Sequence, residues 1–137
     1  MKKFLFLFLI ACCFAQYSAF DATQGFTFSS GAGAAVTQAT SRTTGVTINN
    51  VTGQITTNTT SLAAGASATF IVTDSKVGLH DVVVLSIQSG TNSGRTIANV
   101  TVTTAGTFSI MVSDLASATA ETGAVILNFV VIKGISS

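Results

Sequence analysis

Residues 105–113 read AGTFSIMVS. Phe108, Ile110 and Val112 fall on one side of an extended chain, with Thr107 and Ser109 on the other. A period of two is that of a strand with one face in a core and the other in water. Ala105-Gly106 immediately before it is a turn signal, so the chain enters this strand from an antiparallel neighbour. The segment therefore points to a half-buried antiparallel sheet, and the rest of the chain can be read against it.

Upstream, Arg95–Thr104 alternates weakly and predicts a strand with Ala98, Val100 and Val102 facing inward. SGTNSG at 89–94 is a loop by composition. Asp81–Gln88 (DVVVLSIQ) sets Val83, Leu85 and Ile87 on one face and Val82, Val84 and Ser86 on the other. Thr69–Thr73 (TFIVT) is β-branched and aromatic and stops at Asp74-Ser75. Earlier still, Gly45–Asn49 and Thr52–Thr57 predict a hairpin, with Asn49-Asn50 tolerating the positive φ of a tight turn.

Downstream, VSDLASATAE at 112–121 reads as a loop. GAVILNFVVIKG at 123–134 is apolar on both faces apart from Asn128, which predicts a mid-sheet strand covered on both sides. About eight short strands with regular turn signals and no amphipathic helix predict an all-β fold. The expected architecture is an antiparallel β-sandwich, jelly-roll or Ig-like, over residues 36–137.

Before it lie two other segments. Residues 20–35 form a Gly/Ala-rich linker with a short strand predicted at Phe26–Phe28. Residues 1–19 (MKKFLFLFLIACCFAQYSA) have the layout of a secretory leader: two lysines, an apolar run from Phe4 to Ile10, then small residues. The run is shorter than the roughly 20 apolar residues of a membrane-spanning helix, so membrane contact is expected only through the leader. Leu9-Ile10-Ala11-Cys12 resembles the bacterial lipobox, which would lipidate the Cys12 thiol; cleavage after Ala15 is the competing reading. Cys12 and Cys13 are the only cysteines, so the body has no disulfide framework and no thiolate metal site.

The chain is 47% hydrophobic and only 8% charged, against a usual charged share of about 25%. From Asp21 onward, Arg42, Lys76, Arg95 and Lys133 stand against Asp21, Asp74, Asp81, Asp114 and Glu121, four bases to five acids and a net charge of −1. With no basic patch and no interleaved aromatics, nucleic-acid binding is not expected. A body so poor in charge is wetted by hydroxyls and amides or hides its surface in a homo-oligomer. The absence of proline removes a common protection of edge strands and favours the oligomer.

Catalytic chemistry has little to build on. His80 is the only histidine; Asp74 and Asp81 are the acids that would orient it, but no serine is set in a nucleophile elbow. VTDSKVGLHD at 72–81 reads as a polar connection with His80 at its rim. The five acids of the body fall at predicted strand ends and loops, where solvated carboxylates are ordinary. Asp114 and Glu121 lack the dense carboxylate spacing of a calcium loop, and Gly31-Ala32-Gly33 lacks the lysine and helix of a phosphate loop. No catalytic residue, metal site or cofactor is expected. The sequon matches at Asn50, Asn58 and Asn99 are those that an Asn- and Thr-rich chain produces by chance.

The segments SRTTGVTIN (41–49), TGQIT (52–56), AGTFS (105–109) and VILNFVVIK (125–133), taken together, resemble a β domain recurrent in virion proteins of tailed bacteriophages and prophages. There it is similar to the C-terminal module of accessory structural proteins. The resemblance covers about residues 35–135. It implies a non-enzymatic virion part, a head decoration protein or a head or tail fibre tip. Such a part would be trimeric and partnered by capsid or tail proteins or by a host surface. No catalytic residues carry over. Within this reading Arg42 is a candidate interface residue. The leader departs from the pattern and keeps open an alternative, a bacterial secreted or lipid-anchored surface protein in the envelope or outside the cell.

Overall fold

The computed structural model of the chain describes residues 20–21, 25–26 and 33–135. The leader, including Cys12, and most of the strand expected at 26–28 lie outside them. The chain divides into two units, Met1–Ser30 and Gly31–Ser137. In the first, β1 (Phe20–Asp21) pairs antiparallel with β2 (Gly25–Phe26), Phe20 opposite Phe26.

The second unit is a β-sandwich of eight strands: β3 (Gly33–Thr37), β4 (Val46–Thr47), β5 (Thr52–Thr56), β6 (Ser67–Thr73), β7 (Val82–Ser89), β8 (Thr96–Thr104), β9 (Thr107–Asp114) and β10 (Ile126–Ile132). They form two four-stranded sheets, in the orders β3-β5-β10-β7 and β4-β6-β9-β8. No helix occurs among the described residues. The sandwich begins at Gly33, inside the stretch expected to be linker, because Gly33–Thr37 runs beside Thr52–Thr56 in register.

The antiparallel expectation holds for β5-β10-β7 and for β6-β9-β8. Each sheet then closes with one parallel pair, β3 on β5 and β4 on β6, so both sheets are mixed. Parallel neighbours need a crossover, and here the crossover of each sheet passes through a strand of the other. The chain thus visits the two sheets in turn from β3 to β8. This overturns the expected hairpin at 45–57. Val46 pairs with Val72 in one sheet, while Thr52–Thr56 pairs with β10 in the other. Asn49-Asn50 has no positive φ; instead the Asn49 side-chain oxygen accepts from the Ser75 N–H at 2.9 Å.

The core lies between the sheets. Phe70, Val72, Phe108, Ile110 and Val112 of one sheet meet Ile55, Leu127, Phe129 and Val131 of the other. The Phe108 and Phe129 rings cross the gap with centroids 5.3 Å apart and planes tilted by 52°. That geometry adds about 1 kcal/mol to the burial of the rings themselves. The alternation expected of Thr107–Ser113 is present, with Phe108, Ile110 and Val112 buried.

Two sequence expectations of facing need correction. Val102 is exposed rather than inward, because a bulge between Val100 and Val102 against β9 moves the following residues to the opposite face. β10 is central, as its apolar run predicted, but among the described residues no layer covers its outer face. There Asn128 meets Gln54, which also bonds Gln88 at 2.6 Å, while Val130 is half-buried and Ile132 is exposed.

Candidate functional site

The expectation of solvated acids fails. Asp74, Asp81, Asp114 and Glu121 are all buried, and so is Arg42, at 5% exposure. They fall into two groups, at opposite ends of the sandwich.

At one end Arg42 is the hub. It sits in a tight turn in which the Thr44 N–H donates to the Ser41 carbonyl at 3.1 Å. The Gln38 side chain braces that turn by donating to the carbonyls of Arg42 and Thr44 at 3.1 and 2.8 Å. The guanidinium then reaches inward. It donates to Thr57 Oγ1 at 3.2 Å, to the main-chain oxygens of Glu121 and Gly123 at 3.2 and 2.7 Å, and to the Thr60 carbonyl. Thr57 Oγ1 in turn accepts from the Val125 N–H at 2.8 Å. A planar fork with five donors suits several carbonyls at once, which a lysine could not satisfy. Burial lowers the Arg42 pKa, opposed by the charges of Glu121 and Asp114.

The Glu121 carboxylate gathers a third loop. It accepts from the N–H groups of Asn92, Ser93 and Gly123 at 3.1, 3.3 and 3.0 Å and from Thr96 Oγ1 at 2.6 Å. Burial disfavours its charge, but the hydrogen bonds from Thr96, Gly123, Asn92 and Ser93 outweigh this and hold its pKa below the ordinary value. Asp114 is next to this group; its Oδ1 accepts from the Ala116 N–H at 2.9 Å, and its buried Oδ2 has no partner among the described residues.

At the other end the Asp81 carboxylate accepts from the N–H groups of Gly78 and Gly134, at 2.7 and 2.9 Å, and pairs with Lys133. The hydrogen bond from Lys133, followed by those from Gly78 and Gly134, brings its pKa down to about 2. Asp74 Oδ1 accepts from the Lys76 N–H at 2.9 Å, while Oδ2 is buried without a partner among the described residues. Burial raises the Asp74 pKa, partly offset by that hydrogen bond and by the nearby lysines.

These ties show how the acids singled out from sequence are used within the fold. Asp81 is engaged by Lys133 and two backbone donors, and His80 lies exposed beside it, so the two do not form a relay. Both oxygens of Glu121 are occupied by the chain's own donors. Among the described residues no three His, Cys, Asp or Glu side chains gather to hold a metal. Arg42, expected at an interface, has its guanidinium turned into the protein's own loops. Arg42 is the only charged residue between Asp21 and Asp74, and nothing beside it in sequence marks it as buried, because its partners lie at residues 57, 60, 121 and 123. No protein-family model, curated protein or solved structure matches the chain.

Proposed function

We propose that this chain is a non-enzymatic structural module, a bacteriophage virion accessory protein of the head-decoration or fibre type that works as a homo-oligomer, a trimer in the simplest case. What supports the reading is the use made of the few charges. Arg42 and Glu121 tie four loops together, and Asp81 with Lys133 holds the C-terminal end to the turn at 78–81. That leaves strand faces of hydroxyl, amide and aliphatic groups, a surface suited to packing against other proteins rather than to bond chemistry. The resemblance of residues 35–135 to phage accessory proteins supplies the virion.

The test is mass spectrometry of density-purified particles from a producing strain. The chain is expected at a fixed ratio to the major capsid protein; its absence from particles sinks the reading. The Leu9–Cys12 segment favours a second reading, a lipid-anchored envelope protein. A diacylglyceryl adduct on Cys12 in the intact mass of the native protein would establish that one instead.

A further inference from the structure

Strand β7 is a sheet edge without the usual protection. Among the described residues it pairs with β10 along one side only, from Val82 opposite Ile132 to Ser89 opposite Ile126. Its eight residues, VVVLSIQS, include no charge and no proline. Natural edge strands normally carry lysine, proline or an inward charge, because an open row of N–H and C=O groups recruits another chain.

The side chains add to the exposure. On the outer face Val82 and Val84 are 56% and 46% exposed, and they stand directly opposite Ile132 and Val130. These four make a compact aliphatic block. On the inner face Val83, Leu85 and Ile87 reach the core but are only half-buried. β8, the edge of the second sheet, lies beside β7 and repeats the pattern. It has no charge over Thr96–Thr104; Ile97 and Val102 are exposed, and Ala98 and Val100 are half-buried.

We infer that this side of the sandwich, centred on β7, packs against a second copy of this chain. Charge selects the occupant. A partner bearing lysines or carboxylates would have to bury them unpaired against Val82 and Val84, at a cost of several kcal/mol per ion. An uncharged side, with its two neighbouring edges β7 and β8, meets the uncharged side of another copy with no like-charge repulsion and no stranded ion, and every copy of the chain supplies such a side. The open main-chain row of β7 runs for eight residues, long enough to pair with a strand of another copy. The inference rests on the oligomer in the reading above and assigns it a surface.

The experiment is light scattering on the full chain after size exclusion, comparing the wild type with Val84→Lys, Val102→Lys and Ile71→Lys. Ile71 is equally exposed but lies on β6, in the interior of the other sheet. The wild type is expected to be multimeric. Val84→Lys should weaken self-association about a hundredfold and run at the monomer mass with unchanged circular dichroism. Ile71→Lys should stay multimeric. Val102→Lys reads the same side from β8 should Val84→Lys fail to fold.

A wild type that is monomeric up to about 100 µM overturns the inference, whatever covers β7 within the single chain. So does dissociation by Ile71→Lys alone, or a multimer indifferent to both β7–β8 substitutions. A chain that is missing from particles yet dissociates with Val84→Lys removes the virion and leaves the interface standing.

Discussion

Arg42 Nη2 donates to the main-chain oxygen of Glu121 at 3.2 Å, across 79 residues of sequence. With the companion bond to Gly123, it fastens the turn after β3 to the segment that leads into β10. Arg42→Ala would take their donor from the Gly123 and Thr60 carbonyls, while Thr57 Oγ1 keeps the Val125 N–H and the Glu121 oxygen keeps the Leu62 N–H at 2.9 Å. A loss of about 3 kcal/mol is expected, with Arg42→Lys intermediate because it keeps the charge but not the fork. Urea unfolding midpoints measure both. Equal midpoints for Arg42→Ala and wild type would show that the tie contributes nothing.

Glu121→Gln keeps the shape but sets an amide against donors that all need an acceptor. Because the folded-state pKa of Glu121 lies below its ordinary 4.5, the stabilisation is present above that pH. It is lost as pH falls through the folded-state value. Glu121→Gln is therefore expected to be less stable than wild type at pH 7, by about 2 kcal/mol, with the gap narrowing in acid. A gap that stays constant from pH 7 to pH 3 contradicts this assignment.

Asp74 should behave in the opposite sense. Its folded-state pKa is raised above 3.8, so its ionisation opposes folding at neutral pH and that penalty fades as pH falls towards 3.8. Asp74→Asn keeps an oxygen for the Lys76 N–H and removes the buried charge. Relative to wild type, the variant should gain more stability at pH 7 than at pH 4, as read from thermal midpoints at the two pH values.

The Asp81 carboxyl offers a direct spectroscopic check. Lys133→Met removes the first of the three donors that bring its pKa to about 2, leaving Gly78 and Gly134. Carboxyl carbon shifts followed by NMR should show the titration of Asp81 move up towards 3.8. An unmoved titration would assign the depression to the backbone donors alone.

Gly90 and Gly65 make a matched pair. Both have positive φ, 93° and 76°, but a Cβ on Gly90 would meet the Ala124 oxygen at 1.9 Å, while one on Gly65 meets open space. Gly65→Ala should cost about 1 kcal/mol for its backbone alone. Gly90→Ala, which must also push the β7–β8 loop away from the chain before β10, should cost about 3 kcal/mol or more. Equal costs, measured by denaturant unfolding, would mean that the contact at Ala124 relaxes freely.

What the sequence revealed was what depends on near neighbours. The strand at Thr107–Ser113 was legible because a period of two needs only its own residues, and the central position of β10 because a run apolar on both faces belongs inside a sheet. The crossing of 45–57 between sheets was not legible. Which sheet a strand joins depends on partners far along the chain, Val72 for Val46 and Leu127 for Ile55. The exposure of Val102 was hidden for a related reason, since a bulge exists only relative to the partner strand. The buried acids were hardest to see. A carboxylate in a loop looks the same in sequence whether it faces water or, like Glu121, takes its hydrogen bonds from residues 92, 93, 96 and 123.

The order in which strands are made sets a condition on biosynthesis. β10 is the last of the described strands, yet it lies between β5 and β7. Until it leaves the ribosome, its sheet is two separated pieces and the inner faces of Ile55 and Leu85 have no Leu127 or Phe129 beside them. Such a chain stays unfinished until β10 is made and then closes through pairings distant in sequence, a slow kind of step. Before β10 is made, it would remain open enough to be held by a chaperone or threaded through an export channel. A stop codon directly after Val125 would remove the strand that joins the two halves.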